Sequence, residues 1–349
     1  MSNRLADGTV DVPDLDQKAI MKQRPVELVV EISRLGFGLS KLMRVPSQAE
    51  RQRLLDTAYD RGIRHFDVAR MYGLGASERE LGRFIRSKRS QITIATKFGI
   101  EPTFATHVMA YLQSPVRWLF TRYPRLKTAA AETHQPLYRP KRFTADSLRR
   151  SLHASLRTLR TDYVDVLFLH EPMPGDYIAN ELIGCLHDLR AQGTILAFGM
   201  SSTAHSLMTL IGQQPALTSV LQFDNDAISR QTDWIDPPAQ TRLFTFAPFA
   251  AALPMLRARF ERTPSILVNV ADRTGIDLRS DQEQIRFLLS YALYAIPKGT
   301  VIFASTDVDH ITMVTNHLRG GLFNEGEVHA IREELLPSRI DPGVRSERS

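Results

Sequence analysis

The feature that most constrains this chain is a rhythm of short, nearly continuous apolar runs, each followed by a stretch with helical spacing. The runs are Leu35–Leu39, His65–Ala69, 91–97, 163–169, Ile195–Gly199, Ser219–Gln222, Leu243–Ala247 and Val301–Phe303. A run without polar alternation is buried on both faces, as parallel strands are, and parallel strands need crossover helices. The stretches between them supply those helices. Gln48–Tyr59 is capped by Ser47 and ended by Gly62, and 76–87 and 144–160 follow; then come Glu181–Gln192 with Gly193 as its stop, 204–212, a helical segment near 228–240, 281–295 and 307–318. Such alternation within one domain predicts an α/β fold, a (β/α)8 TIM barrel. A doubly wound sheet is disfavoured. No Gly-x-Gly-x-x-Gly joins a strand to a helix, and Gly36-Phe-Gly38 is too short to count as one.

Around this core the ends differ. Residues 1–25 are polar and aperiodic and read as a flexible arm, whereas Val26–Ser33 reads as a strand, a hairpin lid over the barrel. The barrel is expected to span 26–325 and a C-terminal tail 326–349. The interval 101–143, after the third strand, is far longer than an ordinary βα connection. Loops of that length at the C-terminal side of a barrel shape substrate pockets or form lids, and packing against the barrel side is the plainer alternative.

Composition narrows the function class. Cys185 is the only cysteine, which excludes a disulfide framework and a thiolate metal cluster and suits a reducing compartment. Met1–Gly8 lacks the apolar run of a secretory signal, and no stretch has the roughly 20 apolar residues of a membrane span. A cytoplasmic protein is expected. The formal charge of +6 gathers between Arg117 and Arg160, a solvated basic face or an attractant for anionic small molecules. No nucleic-acid recognition motif accompanies it.

In a (β/α)8 barrel the reactive groups sit at the C-terminal ends of the strands. By the strand assignments, Asp67, Lys97, His170, Ser201, Gln222 and Ser305 all fall there, with Tyr72 in the turn after Asp67. Taken singly they have ordinary explanations. Asp67 can cap a helix, Tyr72 can pack, Lys97 can be a Schiff-base lysine and His170 a metal ligand. Taken together they make an acid–base device. A free phenol has a pKa near ~10; a buried ammonium beside it favours phenolate, and a carboxylate keeps that ammonium charged. A histidine arriving from a nearby strand can orient an oxygen for proton transfer. Proton delivery to a carbonyl oxygen pairs naturally with hydride delivery to its carbon.

These residues also carry a resemblance. Gly62-Ile-Arg-His-Phe-Asp67 with Met71-Tyr72-Gly73, Ser77-Glu78-x-x-Leu81-Gly82, Ala95-Thr-Lys97-Phe-Gly99, Leu169-His170, Gly199-x-Ser201 and Val301-Ile-x-Ala-Ser305 resemble the aldo-keto reductases. The likeness runs from about Leu35 to about Leu318 and omits most of 101–143. It implies a catalytic tetrad of Asp67, Tyr72, Lys97 and His170, with Tyr72 the proton donor and no metal. It also implies NADP or NAD bound without a Rossmann fold. The contacting residues would be Gly38, Leu39, Ser40, Asp67, Ser201, Ser202, Gln222, Phe246, Ser305 and His310. Ser202 stands where the family usually has asparagine, and Phe246 where it usually has tyrosine. Ala304 and His310 stand where many NADP-using members carry a lysine and an arginine, so the 2′-phosphate clamp is altered, with Asp307 and Asp309 beside it. The expected partner is a small carbonyl compound or its alcohol, with neither nucleic acid nor membrane involved. A cofactor-binding accessory subunit with little turnover is the alternative.

Overall fold

The computed structural model describes residues 32–102 and 142–335. Within them the expected barrel is present. Strands β1 (Leu35–Gly38), β2 (His65–Asp67), β3 (Thr93–Phe98), β4 (Val164–His170), β5 (Ile195–Ser201), β6 (Val220–Asp224), β7 (Arg242–Phe246) and β8 (Thr300–Phe303) form a closed barrel in sequence order. Every neighbouring pair is parallel, including β8 with β1, so no strand edge is left unpaired.

The helices of the described residues are α1 (Gln48–Asp60), α2 (Ala76–Phe84), α3 (Ala145–Leu159), α4 (Asn180–Ala191), α5 (Ala204–Gln213), α6 (Ala252–Arg262), α7 (Ser265–Thr274), α8 (Asp281–Ala295), α9 (Val308–Gly320) and α10 (Glu325–Leu335). Their starts follow the chemistry of orphan N–H groups. Ser47 Oγ accepts from the Glu50 N–H at 3.3 Å, and Thr144 and Ser147 cap α3 reciprocally. Because side chains alternate along a strand, each strand serves two layers. One set, including Ala95, Val166, Phe168, Ala197, Val220, Phe244 and Ile302, fills the barrel; the other, including Phe37, Phe66, Ile94, Leu167 and Val301, packs under the helices. Gly82 lets α2 approach α3 closely: a Cβ there would sit 2.5 Å from the Thr158 carbonyl oxygen.

Three differences from expectation have local causes. The segment near 228–240 is a single short 3-10 turn, Gln231–Trp234, rather than a helix. Pro237-Pro238 removes two donors and forces the preceding residue out of helical geometry. Conversely, α6 and α7 lie in a stretch to which sequence periodicity gave no element. Both helices tolerate a proline, since Pro254 falls in the first turn of α6 and Pro264 stands at the N-cap of α7, where a missing N–H costs nothing. Finally, the stretch expected to be a tail is helical as far as Leu335. Helix α10 packs on α7 and buries Val328, Ile331 and Leu335. The expected strand at 26–33 and the long connection at 101–143 fall almost wholly outside the described residues. Among the described residues no helix is long and apolar enough to cross a membrane.

Candidate active site

Strand β2 ends on Asp67, and the chain then turns sharply to present Tyr72. The turn is made by three consecutive residues with left-handed backbone, Gly73 (φ 56°), Leu74 (φ 58°) and Gly75 (φ 87°). A Cβ on Gly73 would lie 2.2 Å from Met43 Cγ, so glycine is needed there for space as well as for conformation. Lys97 points inward from β3, His170 ends β4, Ser201 ends β5, and Gln222 comes from β6, across the barrel from Asp67. These ends surround a cavity of about 330 Å³ at the C-terminal mouth of the barrel.

The polar groups in its floor form one connected circuit. Lys97 Nζ donates to Asp67 Oδ1 at 2.6 Å and to Oδ2 at 2.7 Å, with both side chains almost fully buried. Gln222 Nε2 donates to the same Asp67 Oδ2 at 2.7 Å, and Ser201 Oγ donates to Gln222 Oε1 at 2.6 Å. Above the pair, the Lys97 ammonium lies 5.2 Å from the centre of the Tyr72 ring, and the His170 ring meets Tyr72 edge-on at 6.2 Å.

Burial and charge oppose one another here. Burial acts to lower the Lys97 pKa, but the Asp67 carboxylate and then Tyr72 outweigh it, so it stands above the ordinary lysine value. For Tyr72, burial raises the pKa, Lys97 pulls it down and Asp67 pushes it back up. The balance leaves the phenol above its ordinary value. The expectation that Lys97 would bring it below that value is thus not met, because burial of the phenol outweighs the pull of the ammonium and Asp67 adds to it. Tyr72 is therefore a protonated phenol at neutral pH, the form a proton donor requires. One layer down, His65 is wholly buried, its Nδ1 2.9 Å from Thr93 Oγ1 and its ring 5.1 Å from that of Phe244. Burial, then Lys97 and Arg242, depress its pKa to about 3, so it is neutral.

Most of the residues singled out in the sequence meet at this cavity. Gly38, Ser40, Asp67, Tyr72, His170, Ser201, Ser202, Gln222, Phe246 and His310 line it, and Lys97 lies directly beneath. Ser202 Oγ donates to the Pro172 carbonyl at 2.9 Å. Two residues stand apart. Leu39 is fully buried in the core, its N–H donating to the Asp67 carbonyl at 2.9 Å. Ser305 stands behind the wall, its Oγ 3.2 Å from His310 Nδ1 and accepting from the Asp307 N–H at 3.0 Å. Burial holds His310 below the usual histidine value, with Asp307 raising it and Lys41 lowering it. Lys41, Met71, Glu171, Thr203 and Phe249 also line the cavity and escaped the sequence reading. A signal existed for Glu171, which directly follows His170. It holds a left-handed φ of 52°, rare outside glycine. For Phe249, three residues past β7, sequence gave none.

The cavity fits a nicotinamide cofactor on its own chemistry. Ser201 and Gln222 offer paired amide and hydroxyl groups for a carboxamide. The partly buried Phe246 ring offers a stacking face, and Gly38 lines the wall of the same cavity. The chain is similar to several known proteins. The chain is 30% identical over 190 residues to a D-threo-aldose 1-dehydrogenase of a Pseudomonas species, covering 51% of this chain and 52% of that protein. It is 25% identical over 287 residues to an aryl-alcohol dehydrogenase of Pestalotiopsis microspora, covering 74% of this chain and 65% of that one. The chain thus spans about half the length of the first of these relatives and under two thirds of the second. Two solved structures share the fold. The glycerol dehydrogenase of Gluconobacter oxydans has a TM-score of 0.64 at 18% identity, over 90% of this chain and 96% of that one. An aldo-keto reductase of Klebsiella pneumoniae in complex with NADPH has a TM-score of 0.60 at 19% identity, over 88% of this chain and 93% of that one. Residues 34–236, more than half the chain and the part that carries Asp67, Tyr72, Lys97 and His170, match the sequence model of one family. The chain belongs to the aldo/keto reductase family.

Proposed function

We propose that this protein is an NAD(P)-dependent oxidoreductase that interconverts an aldehyde or ketone and its alcohol, with Tyr72 as proton donor and acceptor. The observation that carries the reading is the buried Lys97–Asp67 pair at 2.6 Å set beneath a protonated phenol at the cavity mouth, with His170 beside it. A nicotinamide cofactor bound in the cavity supplies or accepts the hydride. The protein's own groups do the rest. Tyr72 delivers its proton to the substrate oxygen as charge develops there. Lys97 stabilises the phenolate left behind, Asp67 keeps Lys97 charged and His170 orients the oxygen. Ser201, Ser202 and Gln222 would hold the cofactor's carboxamide, Phe246 would offer its ring a stacking face, and the turn Gly38, Leu39 and Ser40 would flank it. His310 would meet the far end of the cofactor, with Ser305 behind it, its Oγ 3.2 Å from His310 Nδ1.

NADP and NAD each find support at that end. Lys41 on the cavity wall, close enough to depress His310, favours a 2′-phosphate. A neutral His310 and the carboxylates of Asp307 and Asp309 favour a free ribose hydroxyl. Titrating NADPH and NADH separately by fluorescence decides between them. The reading itself is tested by single-turnover oxidation of the bound cofactor with a panel of aldehydes. Turnover by the wild type and its loss in Tyr72→Phe is the expected result. No turnover with any aldehyde would replace the enzyme with the accessory-subunit role.

A further inference from the structure

Tyr72 sits on a strained turn, and something must hold that turn in place. Left-handed backbone at three successive residues, one of them Leu74, gives the segment no regular ladder of its own. What brackets it is a buried ion pair. Arg70, two residues before Tyr72, reaches Glu78, six residues after it, with Nη1 3.3 Å from Oε2. Glu78 is fully buried on α2 and Arg70 is only 7% exposed, so the pair closes the base of the loop out of contact with solvent.

Neither end of this clasp is loose. The other Glu78 oxygen, Oε1, accepts from Thr96 Oγ1 at 2.9 Å. Thr96 is the neighbour of Lys97 on β3, facing the helix layer while Lys97 faces the cavity. Ser155 on α3 also hydrogen-bonds the Glu78 carboxylate. The free edge of the guanidinium is used as well. Arg70 Nε donates to Glu101 Oε2 at 3.0 Å, just past the end of β3. One carboxylate and one guanidinium thus tie the residues before and after Tyr72 to the strand that carries Lys97, at both sides of that lysine. No step of the proton transfer uses either group.

We propose that Arg70 and Glu78 are positioning residues for Tyr72: a clasp that fixes the phenol in register with Lys97. The proposal rests on the reading of Tyr72 as the proton donor. A phenol displaced by a fraction of an ångström loses its alignment with both Lys97 and the substrate oxygen, while the cofactor's contacts on β5, β6 and β7 are untouched. The clasp should therefore govern kcat and spare cofactor binding.

The test uses the full chain with Glu78→Gln, which keeps the bond from Thr96 and removes the charge, and Arg70→Met, each alone and combined with Tyr72→Phe. NADPH and NADH are each titrated by fluorescence, and carbonyl reduction is followed with the fastest aldehyde of a panel. The expected result is a fall in kcat of about tenfold or more with either clasp variant. The cofactor Kd should stay within about twofold, and neither clasp change should have a further effect in the Tyr72→Phe background, because residues acting through one group are not additive. Wild-type kcat in both clasp variants, with Tyr72→Phe inactive, overturns the clasp and leaves the proton-donor reading standing. An active Tyr72→Phe overturns that reading itself. A clasp effect that persists unchanged in the Tyr72→Phe background, with loss of cofactor affinity, makes the pair merely structural and overturns the proposal. Should Glu78→Gln fail to fold, Arg70→Lys decides. It keeps the charge without the two-sided fork, so part of the kcat lost in Arg70→Met should return; equal losses sink the clasp.

Discussion

Thr96 and Lys97 are neighbours on β3, face opposite sides of the sheet, and each meets a buried carboxylate. On the cavity side Lys97 binds Asp67 at 2.6 Å, in the floor of the cavity that Asp67 lines. On the helix side Thr96 binds Glu78, which pairs with Arg70 in a sealed layer. The cations differ in kind. An ammonium changes its pKa with its surroundings, which suits the side where a proton must move, whereas a guanidinium keeps its charge under all ordinary conditions. The carboxylates differ too. Burial raises the Glu78 pKa against the pull of Arg70, Ser155 and Thr96, while Asp67 is held by three donated hydrogen bonds. One strand thus carries a responsive pair on one face and a fixed pair on the other.

The comparison is broken most severely from the cavity side. Tyr72→Phe should lower kcat for carbonyl reduction by roughly 10²- to 10⁴-fold, the usual worth of a positioned general acid, with cofactor Kd nearly unchanged. The raised Tyr72 pKa sets the sign of the pH dependence in the free enzyme. Reduction should hold level through neutral pH and fall only above about pH 10 as the phenol ionises, whereas alcohol oxidation, which needs phenolate, should rise with pH. A reduction rate that falls already near pH 7 would contradict that order.

The next largest effect probes the floor beneath the pair. His65 takes up its proton near pH 6.5 when unfolded but only near about 3 when folded. The unfolded state therefore binds more protons over that window, and stability falls as the pH drops from about 6.5 towards 3. The loss approaches about 5 kcal/mol for a shift of this size. Denaturant unfolding of His65→Asn across that range should show a markedly shallower acid dependence, and an unchanged slope would exclude His65 as the cause.

On the sealed face, Thr96→Val removes one hydrogen bond to a carboxylate that keeps its others. A loss of about 1–3 kcal/mol in unfolding free energy is expected, with kcat reduced only a few-fold. A collapse of kcat to the Tyr72→Phe level would mean that the two faces are not separate. The smallest effect belongs to the surface. Arg273→Ala, which breaks exposed pairs with Glu333 and Glu334, should leave Tm and kcat within error.

Much of this was legible in the sequence, for a physical reason. Strands buried on both faces have no polar alternation, so β1 to β8 announce themselves, and their order fixes which ends share the mouth. Asp67, Lys97, His170 and Gln222 followed from that. What sequence could not supply is whatever depends on the partner across a gap. Leu39 occupies the expected turn but is committed to the core by its bond to Asp67. Ser305 is screened from the cavity by His310. The clasp was invisible because Arg70 and Glu78 look like ordinary surface charges until α2 and α3 close over them, brought together by Gly82. Helices α6 and α7 were not assigned from sequence, and each carries a proline that is harmless only because it falls in a first turn or at a cap.

The chain of bonds from Ser201 through Gln222 and Asp67 to Lys97 crosses the full width of the barrel, so its two ends cannot be treated as independent sites. A ligand group that engages the Gln222 amide draws on a hydrogen bond now given to Asp67, and Asp67 is what sets the charge felt by Tyr72. Occupancy at one end and protonation at the other are then a single linked equilibrium, reciprocal by thermodynamic necessity. Cofactor affinity should depend on pH in the range where Tyr72 titrates, and binding there should take up or release protons. Calorimetric titrations in buffers of different ionisation enthalpy would read that exchange directly; at neutral pH, where the phenol is protonated, replacing it in Tyr72→Phe should leave the exchange unchanged.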